Sequence, residues 1–152
     1  MDTVLLSPCY FGPISVYVAL TQAKHVIFEN EENYQKQTYR NRMYIYGANG
    51  KQALTIPVKH SGKNNGRQKY RDVRIENGFP WQQQHWKSLQ TAYRSSPFFE
   101  FYEDDLAPLY HRTYDHLLEF NYSSFEMISQ CLQHQWHFSK TRAYREKKAA
   151  GG

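Results

Sequence analysis

The stretch "KQTYRNR", from Lys36 to Arg42, places three cations within seven residues. An arginine fork can hold a phosphate or carboxylate through two parallel bonds, so Arg40 and Arg42, with Lys36 beside them, are candidates for an anion clamp. Asn41 adds an amide and Tyr39 a ring face. In an extended backbone, residues two apart share a side, which points Arg40 and Arg42 together and Asn41 away. Two guanidinium groups held that close need a bound anion between them or an acidic neighbour such as Glu29 or Glu32. The plainer alternative is a pair of solvated arginines beside Tyr39 and Tyr44.

Group transfer from an activated donor needs an anion clamp, a base for the acceptor, and walls for a sugar or nucleobase. Asp72 and His85 are the candidate bases; Tyr10, Tyr39, Trp81 and Trp86 are the candidate walls. Arg74 follows Asp72 by two, so both could serve a site from one face of a strand, or simply pair with each other. His85 sits beside Trp86 in a helical stretch, where a packed histidine is the competing assignment. Cys9 has no base that the sequence pairs with it, and His134 and His137 lack a carboxylate or cysteine at ligand spacing, so no metal site is predicted. Walker A, G-x-G-x-x-G and G-x-S-x-G motifs are missing from the chain, and the cofactor is left unknown. The competing class is a non-catalytic nucleic-acid- or partner-binding module, since basic loops interleaved with tyrosines can also stack bases. The want of an RNA-recognition or KH-type signature makes nucleic acid the weaker partner.

These residues need a scaffold. A chain of 152 residues with 40% hydrophobic content suits one folded domain and excludes a disordered chain. The net charge of +5 is unevenly spread: seven basic residues face only Asp72 between Lys51 and Arg74. Acidic groups collect at Glu29, Glu31 and Glu32 and again from Glu100 to Asp105. The first half is therefore the anion-binding half, and a nucleotide-activated or phosphorylated small molecule is the expected partner. Two distant cysteines make no disulfide framework. No apolar run approaches membrane-spanning length and the start lacks a signal-peptide pattern, so a cytoplasmic location is expected.

Thr3 to Leu6 and His25 to Phe28 read as strands, with a helix from Ile14 to Lys24 between them, a βαβ unit. The turn "SPCYFGPI" joins the first strand to that helix; such a junction can hold an anion, or Tyr10 and Phe11 can simply pack over it. Glu29 to Tyr39 reads as loop. Met43 to Tyr46 and Gln52 to Val58 form a hairpin about Asn49-Gly50. His60 to Tyr70 is a loop, and Asp72 to Glu76 alternates as a strand with Val73 and Ile75 inward. Helices are predicted from Pro80, over Phe98 to Tyr102, from Asp104 or Asp105 through Leu118, and after a Ser123–Glu126 capping box. The fold class is α/β: a small mixed β-sheet from the N-terminal half, covered by the early helix and several C-terminal helices. Residues 1–138 form the domain and 139–152 a basic flexible tail.

The motifs "YFGPI", "NYQKQTYRNR", "LTIPV" and "RDVRIENGFPWQQQHWKSLQTAYRSSPFFEFYEDDL", in this order between Leu5 and Phe120, resemble the WbqC-like family of bacterial O-antigen and related polysaccharide clusters. The resemblance implies a transferase of surface-polysaccharide assembly, with transfer of glycine or another acyl group to an amino sugar as the suggested reaction. It also implies a further apolar segment where this chain has Lys- and Gly-rich sequence, so the C-terminal part is expected to be truncated or diverged.

Overall fold

The computed structural model describes residues 3–12, 17, 20, 22, 25–35, 38–59, 68–131 and 138–140. Strands β1 (Thr3–Leu6) and β2 (His25–Phe28) form as expected and pair in parallel, Thr3 opposite His25 and Leu6 opposite Phe28. The helix expected between them lies for the most part outside the described residues. A strand that the sequence pattern does not announce, β5 (Phe138–Lys140), pairs in parallel with the other edge of β2, Val26 opposite Phe138. The three-stranded order is β1-β2-β5.

The hairpin makes a second sheet, so the strands of this α/β fold divide between two sheets. Strand β3 (Arg42–Gly47) runs antiparallel to β4 (Gly50–Thr55), with Gly50 at φ +100 completing the turn. Met43, Ile45 and Leu54 face inward. They meet Trp86 and Leu89 of α1 (Trp81–Tyr93), which starts after Pro80 as the sequence predicts.

Three expectations in the middle and second half are corrected. Val73 and Ile75 are fully buried, yet residues 72–76 are not a strand: Tyr70–Asp72 is a 3-10 turn, and the rest bonds alternately to two different segments. Ile75 donates its N–H to Asp115 and Glu76 to Pro57, while the Arg74 carbonyl accepts from Lys59 and the Val73 carbonyl from Leu117. Inward alternation therefore survives without a ladder. Next, Phe98–Tyr102 and the stretch after Asp105 are one helix, α2 (Pro97–His111), with Pro97 in its first turn. Asp104 and Asp105 lie mid-helix and exposed, not at a cap.

Last, Leu117 and Leu118 open α3 (Leu117–Cys131), and Ser123 sits inside it, so the capping box is no helix start. The chain breaks between α2 and α3 because its backbone is bonded elsewhere. The Tyr114 carbonyl accepts from Asn77 Nδ2, and the Asp115 carbonyl from Ile75.

Two apolar clusters follow. The larger joins the hairpin, α1, α2 and the start of α3 around Tyr10, Tyr70, Trp81 and Phe120. The smaller places Val26 and Phe28 against Tyr122 and Phe125 of α3. No helix among the described residues is long and apolar enough to cross a membrane.

Candidate functional site

In a parallel sheet, the loops leaving the carboxyl ends of neighbouring strands frame a crevice. Here β1 delivers Ser7–Gly12, β2 delivers Glu29–Glu32, and β5 ends at Lys140. A groove of about 500 Å3 opens at that end, lined among others by Asn30, Arg71, His116, Glu119, Tyr122 and Lys140. Lys140 Nζ stands 4.1 Å from the centroid of the Tyr122 ring, whose hydroxyl donates to Asn30 Oδ1. His116 Nδ1 lies 3.7 Å from Asp115 Oδ2, and Arg74 Nη1 4.0 Å from the same oxygen. A carboxylate thus faces both an imidazole and a guanidinium at the rim.

Behind the groove is a buried charged network. Glu29, Glu31, Glu32 and Arg40 are all buried. Arg40 Nε donates to Glu32 Oε1 at 2.8 Å, and its Nη groups reach Ser7 Oγ and Thr38 Oγ1, both at 3.3 Å. Burial alone would lower the Arg40 pKa; the hydrogen bond and charge of Glu32 outweigh it, and the guanidinium stays charged with its pKa raised. Arg71 Nη1 donates to Glu31 Oε1 at 2.8 Å, while Glu31 Oε2 is buried with no hydrogen-bond partner among the described residues. The Glu31 N–H donates to Glu29 Oε1. Asn121 Nδ2 donates to the Arg40 carbonyl and the Tyr70 hydroxyl, and Tyr70 in turn donates to the Pro8 carbonyl. The Asn41 and Asn121 side-chain oxygens are likewise buried acceptors without donors among the described residues.

The N-terminal turn is held by protein rather than left open. Its backbone takes positive φ at Phe11 (57) and Gly12 (73), two successive left-handed residues. The N–H groups of Tyr10, Phe11 and Gly12 donate to the Tyr39 carbonyl, Ser124 Oγ and the Tyr10 carbonyl. These three amides already have acceptors, and the helix start at 13–16 lies outside the described residues. Tyr10 is fully buried and stacks on Phe11, the packing alternative for this turn.

The residues singled out by sequence fall in separate places. Tyr10, His85 and Trp86 are interior. His85 Nε2 lies 3.1 Å from the Thr55 carbonyl, which can only accept, so Nε2 carries the proton. His85 Nδ1 then accepts from the Tyr10 hydroxyl at 2.9 Å, and Tyr10 accepts from Tyr110 at 2.7 Å. Desolvation lowers the His85 pKa to about 4, so the ring is neutral at pH 7. Trp86 stacks on Tyr110 with centroids 5.3 Å apart and offers no open wall.

Arg40 and Asn41 are buried in a turn, whereas Arg42 begins β3 and donates to Thr55 Oγ1, with Tyr39 beside Tyr44 on the hairpin's outer side. The two arginines therefore serve different regions, and Glu32 is the acidic neighbour of the first. Asp72 and Arg74 do not pair with each other: Asp72 is exposed, 3.9 Å from Arg71, and Arg74 reaches Asp115. Lys36 lies outside the described residues, as do His134 and His137. Sequence reasoning missed Glu31, Asp115 and His116. The three acids in four residues at 29–32 were a visible signal for the first; nothing local marks "DH" at 115–116, which matters only because α3 starts there.

An uncharacterized protein of Mycobacterium tuberculosis is 34% identical over 84 residues, which is 55% of this chain and 35% of that protein, so the matched part spans about a third of the relative. No solved structure gives a significant match. The model of the WbqC-like protein family matches residues 8–150, nearly the whole length, and the chain belongs to that family.

Proposed function

We propose that the protein is a transferase of surface-polysaccharide assembly that joins an acyl group, glycine among the candidates, to the amine of an amino sugar in the groove at the carboxyl ends of β2 and β5. The observation that carries this reading is the meeting, in one groove, of two cations with a carboxylate-faced imidazole: Arg71, Lys140, and His116 with Asp115. Arg71 and Lys140 hold the phosphate or carboxylate of the activated donor. The acceptor nitrogen forms its bond to the acyl carbon, the donor's leaving oxygen departs, and His116 takes the amine proton. Asp115, 3.7 Å away, orients the imidazole. Glu31, whose Oε1 accepts from Arg71, fixes that guanidinium at the groove wall. His85 is assigned to the interior network, since a neutral ring closed in by Tyr10 and Thr55 reaches no substrate. Of the sequence candidates, Arg74 positions Asp115 and Asp72 stands beside Arg71 at the rim.

A thermal-shift screen of nucleotides, nucleotide sugars, amino sugars, and glycine with ATP tests this. A ligand at 100 times its dissociation constant adds about 2.7 kcal/mol of stability. The expected result is stabilisation by an activated donor that Arg71→Gln abolishes relative to its own ligand-free melting point, which itself falls because buried Glu31 loses its partner. A donor that stabilises wild type and Arg71→Gln equally would place the site elsewhere.

A further inference from the structure

The outer face of the hairpin combines open aromatic rings with cations. It takes Arg42, Tyr44 and Tyr46 from β3 and Lys51, Ala53 and Thr55 from β4, by the register Arg42–Thr55, Tyr44–Ala53, Tyr46–Lys51. None of these is acidic. Tyr46 is 65% exposed, Tyr39 46% and Tyr44 37%, a concentration of open aromatic surface that a folded chain rarely leaves without use. The rings are ordered against one another: Tyr39 meets Tyr44 edge to face at 6.3 Å, and Lys51 Nζ stands 4.2 Å from the Tyr44 centroid. The opposite face of the same strands is core, so this face cannot turn inward.

From this juxtaposition of open tyrosines and unopposed cations, we infer that the outer face of the β3–β4 hairpin binds single-stranded nucleic acid. The chemistry of the repeat decides the occupant. Along β3, residues two apart are roughly 6.6 Å apart, and the face reads cation, ring, ring with a second cation across from the last. A nucleotide polymer supplies one flat π-face and one negative charge in every unit, which matches that alternation. A polysaccharide has puckered rings without π-faces and carries no obligatory charge per unit. The face is separate from the groove at β2 and β5 and independent of the transferase reading.

Fluorescence anisotropy with a labelled dodecamer of oligo(dT) or oligo(U) tests it, at low salt and with an unlabelled acidic polysaccharide as competitor. Saturable binding is expected, with affinity falling steeply with added salt. Tyr46→Ala should weaken it about tenfold, and Tyr46→Phe should leave it nearly unchanged, because stacking needs the ring and not the hydroxyl. Arg42→Gln with Lys51→Gln should reduce the logarithmic salt slope by about 1.4, the contribution of two phosphate contacts on a single strand. All these positions are on the surface, so circular dichroism should show a folded chain in every variant. Either the lack of saturable oligonucleotide binding, or binding that the acidic polysaccharide removes while the hairpin variants change nothing, would overturn the inference.

Discussion

Two polar networks among the described residues invite comparison. Around His85, every group is neutral and each has a partner: Tyr110 donates to Tyr10, Tyr10 to His85, and His85 to the Thr55 carbonyl. Around Arg40, the groups are charged and the accounts do not close. Two buried carboxylates, Glu31 and Glu32, meet two arginines, Glu29 accepts from the Glu31 N–H, and the Glu31, Asn41 and Asn121 side chains each leave a buried oxygen without a donor among the described residues. A satisfied neutral chain fixes one conformation of the core at modest expense in desolvation. An unsatisfied charged cluster is costly in a site that has no other purpose, because buried acceptors without donors are rare. The contrast separates a network closed upon itself from one that adjoins the proposed groove. The turn at Ser7–Gly12 touches both, through Ser7 and Pro8 on one side and Tyr10 on the other.

The largest expected effect comes from taking one partner out of the charged network. Arg40→Met leaves Glu32 as an uncompensated buried carboxylate, which costs about 3–5 kcal/mol. Arg40→Lys keeps the charge, loses the fork that spans Glu32, Ser7 and Thr38, and should fall well short of that. Urea denaturation of both variants checks the difference. Equal losses would mean that the shape of the side chain, and not its charge, is what this pocket requires.

The neutral network should announce itself through pH. The His85 pKa is depressed to about 4, below the unfolded value of 6.5, so between those values the unfolded chain binds more protons. Stability is therefore fully present above pH 6.5 and is lost as pH falls through 4, by about 3 kcal/mol on the scale of the shift. His85→Gln removes the titrating group, and its melting temperature should vary less than that of wild type between pH 7 and 4. Parallel curves for the two proteins would show that the acid sensitivity does not come from His85.

How much of this was legible follows from what each residue needs. Strands β1 and β2, the Asn49-Gly50 hairpin and the Pro80 helix start depend on local patterns, and all were readable. Strand β5 is three residues long and exists only because the open edge of β2 receives it. The break between α2 and α3 was misplaced because its cause is remote, the bonds from residues 73–77 to 114–117. For the same reason Arg40 and Arg42 looked like a matched pair in sequence: nothing local reveals that a turn sends one into the interior and leaves the other at the head of β3. Asp115 and His116 became site candidates only once that remote pairing set them beside Arg74 and the groove.

A moderate effect is expected at the turn that bridges the two networks. Gly12 sits at φ +73, a conformation that a β-branched residue strongly resists. Gly12→Val should destabilise by about 1–2 kcal/mol, the penalty for one left-handed residue, and Gly12→Asn by less. Because the turn amides already bond to protein, the loss should appear as a lowered melting point in buffer alone. A Gly12→Val protein as stable as wild type would show that the backbone there can leave the left-handed region.

The smallest effect tests whether the neutral network is as self-contained as its geometry suggests. Tyr110 is its outermost donor, 2.7 Å from Tyr10 and stacked on Trp86. Tyr110→Phe keeps the ring and its stacking and removes one hydrogen bond. Tyr10 keeps its own donation to His85, so it is left short of a donor to its oxygen and not of an acceptor for its hydrogen. An under-satisfied hydroxyl oxygen is the milder of those two losses, which sets the expectation at about 1 kcal/mol. His85 keeps both its partners, so the acid limb of the stability curve should run parallel to that of wild type. Differential scanning calorimetry across pH 4–7 reads both numbers at once. A changed acid limb in Tyr110→Phe would mean that the three groups titrate as one unit, and that the proton on His85 is shared along the chain of hydroxyls instead of fixed by Thr55.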